Sequence, residues 1–286
     1  MRSSTECLFV SDLHGSRSRY ELLWREIAAR PPALVFLGGD LLPNMWVGGR
    51  GEGDFVSDVL GPGFARLRSE LEDDYPKVVA ILGNDDGRAV EPSMRDLEEL
   101  GLWSYAHGAQ LDFLEYTIFG YSYVPPTPFA LKDWERYDVS RYVDPGCVSP
   151  EEGTRTVPVA AHEARHATIA KDLARLARGR SLDRAVFLFH APPYLTKLDR
   201  AALDGKSVDH VPLDPHVGSI AVRRFIEEQQ PLVTMHGHIH ESARLTGSWR
   251  DRIGRTEMFS AAHDGPELAL VHFDLERLSE AQRFLL

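Results

Sequence analysis

The chain has 286 residues, of which 43% are hydrophobic and 26% charged, and its formal net charge is −11. This composition is typical of a globular protein and excludes disordered, collagen-like and coiled-coil chains. The negative charge disfavours nucleic-acid binding by bulk charge, the lack of an 18-residue apolar run disfavours a membrane span, and two cysteines cannot form a disulfide framework.

The first half of the chain alternates short apolar runs with polar loops, which is typical of strands followed by helices. Apolar runs over Cys7–Ser11, Ala33–Leu37 and Lys77–Leu82 predict buried strands, and the spacing of apolar residues in Arg17–Ala29 predicts a helix. Each predicted strand ends at a loop that carries a carboxylate, an imidazole or an amide. Loops after the carboxyl ends of strands line the crevice of open α/β sheets, so these loops are the first indication of function.

The second half repeats this alternation. Ala185–Phe189 and Leu232–Met235 predict strands that lead into histidine-containing loops, and Ser219–Gln229 predicts a helix. Glu257–Ser260 and Leu268–Phe273 predict closing strands. We therefore expect one α/β domain over residues 1–286. Its N-terminus lacks the apolar core of a signal peptide, so we expect a cytoplasmic protein.

The stretch Tyr121–Pro158 between the halves is rich in proline and aromatic residues and has no clean periodicity. A loop of this length predicts an insertion or lid at about 121–158. Its aromatic residues form either a lid over the substrate or a satellite core that fixes the loop; they are Tyr121, Tyr123, Phe129, Trp134, Tyr137 and Tyr142. Beyond the insertion, Ala160–Arg178 predicts one continuous helix.

The polar residues that follow the predicted strands are carboxylates, imidazoles and one amide, without a thiolate. They are Asp12, His14, Asp40, Asn84, His190, His238 and His240. Each has an ordinary structural alternative, such as a helix N-cap for Asp12 or an Asx turn for Asp40 and Asn84. Together they form a mixed nitrogen and oxygen set that suits Mn²⁺, Fe, Zn²⁺ or Mg²⁺. Seven ligands exceed the needs of one catalytic metal and fit two metals that share a carboxylate. His238 and His240 would lie on the same side of an extended segment, as ligands of one cluster require.

The ordered series Asp12-Leu13-His14, Gly39-Asp40, Gly83-Asn84-Asp85-Asp86, His190 and Gly237-His238-Ile239-His240 resembles the calcineurin-like metallophosphoesterase family. The resemblance covers nearly the whole chain. It implies an α/β fold of two stacked mixed β-sheets flanked by helices, a four-layer sandwich, with a dinuclear site at the carboxyl ends of the strands. It further implies a phosphoesterase in which a metal-bridging hydroxide attacks a phosphate ester in line.

The same resemblance distributes the ligands over two divalent metal ions. Asp12, His14 and His240 would hold one ion. His14 would either bind this ion directly or lie partly beyond the residues that bind it. Asn84, His190 and His238 would hold the other, and Asp40 would bridge. Mn²⁺ is the expected metal, although Fe, Zn, Ni, Co and Mg also fit this set. Within the family, the stretches His190–Pro193, Leu198-Asp199 and His216–Ser219 resemble a small bacterial phosphodiesterase-like branch, so we expect a phosphodiesterase rather than a monoesterase.

One position departs from the family pattern. Many members carry a histidine directly after the asparagine, where it can protonate the leaving group, whereas this chain has Asp85 after Asn84. An aspartate beside two cations should stay ionised and is then a poor general acid. We therefore expect either that a good leaving group is needed or that His216, His263 or a metal-bound water supplies the proton. Asn84, Asp85, His216 and His263 are the candidate catalytic residues.

Two other functions are kept as alternatives. His162, Glu163 and His166 match the H-E-x-x-H pattern of a zinc peptidase on the predicted helix, although the helix is rich in charged residues and a solvated face is the preferred interpretation. A metal-binding scaffold without turnover is the second alternative. For the leading hypothesis we expect a small-molecule phosphate ester as substrate, less readily a nucleic acid, and no membrane partner.

Overall fold

A computed structural model describes residues 5–44 and 54–286. Within these ranges, two six-stranded sheets stack face to face. The strands are β1 Glu6–Val10, β2 Leu34–Gly38, β3 Lys77–Ile81, β4 Ser104–Tyr105, β5 Gln110–Phe113, β6 Tyr116–Tyr121, β7 Ala185–Phe189, β8 Ser207–Val208, β9 Val211–Pro212, β10 Val233–His236, β11 Arg250–Ile253, β12 Thr256–Ser260, β13 Ala269–Asp274 and β14 Gln282–Leu285. The helices are α1 Arg17–Ala29, α2 Gly61–Leu71, α3 Glu91–Glu99, α4 Ala161–His166, α5 Ile169–Leu176, α6 Ile220–Gln229 and α7 Ser242–Thr246.

Both sheets are mixed, and their strand orders are β14-β13-β1-β2-β3-β4 and β11-β12-β10-β7-β6-β5. In the first, β1 to β4 are parallel, β13 pairs antiparallel with β1, and β14 pairs antiparallel with β13. In the second, β6, β7, β10 and β12 are parallel, and β5 and β11 add antiparallel edges. The small hairpin β8–β9 stands apart from both sheets. The predicted fold of two stacked mixed sheets flanked by helices is confirmed.

The central strands β2 and β7 are apolar along their whole length, as expected of strands whose two faces are both buried. In β1, Cys7 and Phe9 pack between the two sheets, whereas Leu8 and Val10 pack in the cluster that includes the helices. Strand β7 divides in the same way, with Val186 between the sheets and Phe187 on the helix side. These strands therefore lack the alternation of polar and apolar residues that is typical of a strand with one face in solvent. Burial of both faces explains the short apolar runs of the sequence.

The single helix predicted over Ala160–Arg178 is wrong. The chain forms α4 and α5 with a break between them, where Ala167 (φ −72°, ψ 141°) and Thr168 (φ −137°, ψ 150°) are extended. The Thr168 hydroxyl accepts the Lys171 N–H and begins α5. At the same point the Ile169 N–H donates to the Tyr137 carbonyl of the insertion. A tertiary contact thus takes a backbone donor that a continuous helix would use.

The stretch between β6 and α4 has no regular helix or long strand, and a buried polar network supports it. The Lys132 ammonium, which is fully buried, contacts the Glu135 carboxylate at 2.5 Å and donates to the Thr127 carbonyl at 2.9 Å. Buried Asp133 accepts N–H groups from Arg88 and Thr156. Of the aromatic residues in question, Tyr121, Tyr123, Trp134 and Tyr137 are buried, and Phe129 and Tyr142 are exposed. Tyr121, Tyr123 and Trp134 pack in the hydrophobic cluster that includes the helices, and Tyr137 is buried as well, so these four rings belong to the core.

Candidate metal centre

The polar residues that follow the central strands meet where the carboxyl ends of the two sheets face each other. Loops after β1, β2 and β3 come from one sheet, and loops after β7 and β10 come from the other. Hydrogen bonds cross between them: the His190 Nδ1–H donates to the Gly38 carbonyl at 2.8 Å, and the His238 N–H donates to Oδ1 of Asp12 at 2.9 Å. The first of these bonds leaves Nε2 of His190 turned toward the space between the sheets.

One group of side chains in this space consists of Asp12, His14, Asp40 and His240. One potential ligand atom from each lies within 4.8 Å of every other. The Nε2 atoms of His14 and His240 are 3.1 Å apart, and Nε2 of His240 lies 3.3 Å from Oδ1 of Asp12. Two ring nitrogens and two carboxylates thus point into the same small volume, which is the donor chemistry of a divalent-metal site.

A second group consists of Asp40, His190 and His238, whose ligand atoms also lie within 4.8 Å of one another. Nε2 of His190 is 3.2 Å from Oδ2 of Asp40 and 3.1 Å from Oδ1 of Asn84, so the Asn84 oxygen joins this group. Asp40 belongs to both groups. The structure therefore brings together all seven side chains that the sequence singles out, in two sets that share one carboxylate.

Glycines give this cluster the room that it needs. A Cβ at Gly83 would lie 2.3 Å from Oδ1 of Asp40, a Cβ at Gly39 would lie 2.6 Å from Nδ1 of His190, and a Cβ at Gly237 would lie 2.6 Å from Oδ2 of Asp12. Any side chain at these positions would displace a candidate ligand. The converging donors and the space that the glycines leave around them fit a pair of divalent cations.

The backbone of four candidate ligands lies in the left-handed region that non-glycine residues rarely adopt. The φ angles are 56° at Asp12, 46° at His14, 50° at Asp40 and 72° at His238. This conformation turns the chain sharply after each strand and aims the side chain back across the sheet ends. The segment Gly237–His240 is consequently a turn rather than the extended run that the sequence suggested, and His238 and His240 belong to different groups.

The charged groups of the cluster shift one another's pKa values. Burial lowers the pKa of His190, but the Asp40 carboxylate outweighs burial and raises the pKa of His190 to about 10. Burial also opposes the charged form of His240, whose pKa the Asp12 carboxylate raises to about 9. Burial and the neighbouring His190 lower the pKa of His238 to about 3. Carboxylates and imidazoles held this close would exchange protons for metal cations.

Residues around the cluster hold the loops in place. Asp86, which is fully buried, accepts backbone N–H groups from Gly83 at 2.8 Å, Leu41 at 3.1 Å and Leu42 at 2.8 Å, and so joins the loops after β2 and β3. Asp86 therefore braces its loop. Arg19 on α1 donates to the Asp12 carbonyl at 2.8 Å. Sequence reasoning missed Arg19 because nothing in the helical pattern marks it.

Asp85 lies at the edge of the cluster with its side chain about a quarter exposed. Its Oδ2 is 3.7 Å from Nδ1 of His14, and its Oδ1 accepts a hydrogen bond from the Asn84 amide. Without bound cations, burial and the Asp40 charge disfavour the ionised form of Asp85 and raise its pKa. Two bound cations would act in the opposite direction.

The two histidines named as alternative acids have different surroundings. Nε2 of His263 contacts the Glu267 carboxylate at 2.9 Å. Nδ1 of His216 contacts Oδ1 of Asp199 at 2.8 Å, and the Asp199 side chain is fully buried. The structure therefore places both histidines in carboxylate pairs outside the two ligand groups.

The H-E-x-x-H match lies on the short exposed helix α4. The rings of His162 and His166 are 4.7 Å apart, but Glu163 forms an ion pair with Arg136 at 2.7 Å. Burial lowers the pKa of His166, and the neighbouring His162 and Arg165 lower it further. A cationic surface with an engaged glutamate disfavours a zinc peptidase.

A family model described as calcineurin-like phosphoesterase matches residues 6–242. No curated protein matches the chain. Among solved structures, TT1561 of Thermus thermophilus is 14% identical, with a TM-score of 0.55 and coverage of 99% of both chains. A dimetal phosphatase from Danio rerio is 11% identical, with a TM-score of 0.52 and coverage of 95% of this chain and 94% of that chain. At these identities the solved structures show a shared fold. In residues 5–44 and 54–286, no helix is long and apolar enough to cross a membrane.

Proposed function

The chain belongs to the calcineurin-like phosphoesterase family, and we propose that it is a dinuclear metal-dependent phosphodiesterase that acts on a small-molecule phosphate ester. The observation that carries the proposal is the position of Asp40, whose carboxylate belongs to both ligand groups. A shared carboxylate is what keeps two cations close enough to act on one phosphate.

The contacts among the side chains support a division of the ligands between two ions. Asp12, His14 and His240 would hold one ion, and His190, His238 and Asn84 the other, with Asp40 between them. When bound, the two cations would supply a nucleophilic hydroxide near neutral pH and offset the charge that develops on the phosphoryl oxygens. Mn²⁺ is our first choice, because carboxylate, amide and imidazole donors all suit it.

The preference for diesters rests on Asp85. Its carboxylate lies at the edge of the cluster, 3.7 Å from His14, where it would face the incoming phosphate. A diester carries one negative charge near neutral pH and a monoester close to two. With cations bound, an ionised Asp85 repels the doubly charged monoester more strongly. The formal charge of −11 adds to this effect and disfavours polynucleotides.

The decisive experiment is hydrolysis of bis-p-nitrophenyl phosphate by chelator-stripped protein as Mn²⁺ is restored. This leaving group needs little protonation, so the absence of a histidine at position 85 does not limit the assay. We expect activity that rises with Mn²⁺ occupancy and that Glu163→Ala leaves unchanged. Protein that binds Mn²⁺ but hydrolyses neither this diester nor p-nitrophenyl phosphate would contradict the proposal and support the silent-scaffold alternative. Activity on the monoester alone would overturn the diester preference.

A further inference from the structure

Asp199 is a buried carboxylate that accepts three backbone N–H groups, two from its own loop and one from Gly218. Its side chain is 0% exposed. Oδ1 accepts the Thr196 N–H at 2.9 Å, and Oδ2 accepts the Leu195 N–H at 2.9 Å and the Gly218 N–H at 3.2 Å. A carboxylate that accepts several backbone N–H groups is fixed in position.

His216 is oriented by this carboxylate. Its Nδ1 lies 2.8 Å from Oδ1 of Asp199, and since the carboxylate can only accept, Nδ1 carries the proton of this bond. The His216 side chain is 24% exposed, and its Nε2 has no hydrogen-bond partner among residues 5–44 and 54–286. The ring is thus held at one nitrogen and open at the other. His263 differs, because its Nε2 is occupied by Glu267.

The segment that carries His216 is attached to the loop of one candidate ligand. The Ser219 N–H donates to the Pro192 carbonyl at 2.8 Å, and a Cβ at Gly218 would lie 2.7 Å from the same oxygen. Pro192 is two residues beyond His190 at the carboxyl end of β7. His216 is in turn only two residues before Gly218.

A second attachment reaches the loop of another candidate ligand. His216 forms an isolated antiparallel bridge with Arg200, and the nearby Ala202 N–H donates to Oε1 of Glu241 at 2.9 Å. Glu241 directly follows His240. The Asp199–His216 pair is therefore held between the two loops that carry His190 and His240.

We propose that His216, positioned by Asp199, is the proton donor to the leaving oxygen, and this inference rests on the proposed phosphoesterase function. As the attacking oxygen bonds to phosphorus, the bond from phosphorus to the ester oxygen breaks and its electron pair stays on that oxygen. The oxygen takes the proton from Nε2 of His216 and leaves as an alcohol. His216 becomes neutral, keeps its Nδ1 proton on Asp199, and recovers the lost proton from water. Asp199 is a positioning residue.

The test compares methyl phenyl phosphate with methyl p-nitrophenyl phosphate, because phenolate needs protonation far more than p-nitrophenolate does. We expect His216→Asn to lower activity on the phenyl ester by about 100-fold or more and on the nitrophenyl ester by less than about tenfold. For the phenyl ester, the loss of activity toward high pH in the wild type should disappear in His216→Asn. Asp199→Asn should shift the ratio of the two rates in the same direction. His210→Asn, on the exposed turn between β8 and β9, is the matched control and should leave the ratio unchanged.

Metal content and unfolding midpoints are measured for every variant, so that loss of the fold or of metal is recognised. Equal losses on both esters in His216→Asn, with full metal content, would overturn the inference while leaving the phosphoesterase in place. An unchanged rate on both esters would overturn it as well. Metal-loaded wild type that hydrolyses neither diester would overturn the proposed function together with the inference.

Discussion

The backbone N–H of His238 donates a hydrogen bond to Oδ1 of Asp12 over 2.9 Å, although the two residues follow strands of different sheets. The neighbouring Gly237 approaches the other oxygen of Asp12 so closely that a Cβ there would lie 2.6 Å from it. Part of the candidate centre therefore lies at the interface between the two halves of the chain. The packing of one sheet on the other sets the spacing of the ligands.

Asp40→Asn tests the shared carboxylate. An amide lacks the negative charge that two cations need between them, so we expect metal content to fall from two ions per chain to one or fewer. Activity on bis-p-nitrophenyl phosphate should fall by at least about 100-fold, since even indirect changes near metal ligands cost 10- to 100-fold. Elemental analysis and the diester assay measure the two effects. Asp112→Asn, an exposed carboxylate on β5, should change neither; full activity in Asp40→Asn would show that Asp40 does not bridge.

Gly83→Ala tests the room around the ligands. The added methyl group would meet Oδ1 of Asp40 at 2.3 Å and the His190 ring at 2.7 Å, so we expect weaker metal binding. Gly108→Ala is the contrasting control, because its Cβ has no neighbour within 4 Å but its φ is +65°. That variant should lose about 1 kcal/mol of folding stability and keep its metal. Titration of Mn²⁺ into both proteins distinguishes the effects, and unaltered Mn²⁺ affinity in Gly83→Ala would refute the close contact.

Asp85→His tests the selection against monoesters. Removing the carboxylate should raise the rate on p-nitrophenyl phosphate relative to bis-p-nitrophenyl phosphate by about tenfold, a change in the free-energy barrier comparable to one interaction between exposed charges. Asp85→Asn separates charge from acid catalysis, because it removes the charge without adding an imidazole. If neither variant shifts the ratio, Asp85 does not set the preference.

The buried pair of Lys132 and Glu135 predicts non-additive effects on stability. Lys132→Met leaves the buried Glu135 carboxylate without its cation and should lower the free energy of unfolding by about 3 kcal/mol or more. In the double variant with Glu135→Gln, the oxygen of the uncharged amide can still accept the hydrogen bond from the Thr127 N–H. We therefore expect the double variant to be more stable than Lys132→Met alone. Urea unfolding of the four proteins of this cycle gives the coupling energy, and strict additivity would contradict a paired charge.

His107 predicts a loss of stability in acid. Burial and the charges of Arg88 and Arg136 lower the pKa of His107 from 6.5 to about 3, and its Nδ1 accepts the Ser122 N–H. The unfolded chain therefore binds a proton between these pH values that the folded chain does not. The contribution to stability is complete above pH 6.5 and is lost as the pH falls toward 3. Urea unfolding of wild type and His107→Phe across this range should show a smaller pH dependence in the variant; parallel curves would mean that His107 is not the group responsible.

Much of the fold follows from sequence because both faces of the central strands are buried. Such strands give short apolar runs that end abruptly at polar loops, and the runs over β1, β2, β3 and β7 predict these strands to within one residue at each end. The break before α5 could not be predicted in this way. No glycine or proline marks Ala167, and the competing hydrogen bond comes from Tyr137, far away in the sequence.

The candidate centre shows a similar division. The order of the polar loops indicates which residues meet, because carboxyl ends of parallel strands lie together. The distribution of His238 and His240 between two groups depends on a left-handed turn at His238, which periodicity does not reveal. The contact between Arg19 and the Asp12 carbonyl likewise requires the tertiary structure.

The left-handed backbone at Asp12, His14, Asp40 and His238 has a consequence for any selection on thermal stability. Each such conformation costs of order 1–3 kcal/mol in a residue with a side chain, and glycine would remove that cost. Replacement of His14 by glycine, for example, would relax the chain while deleting a candidate ligand. Selection for heat resistance alone should therefore enrich variants that are stable but inactive. A screen for both stability and activity has to find its stabilising changes elsewhere in the molecule.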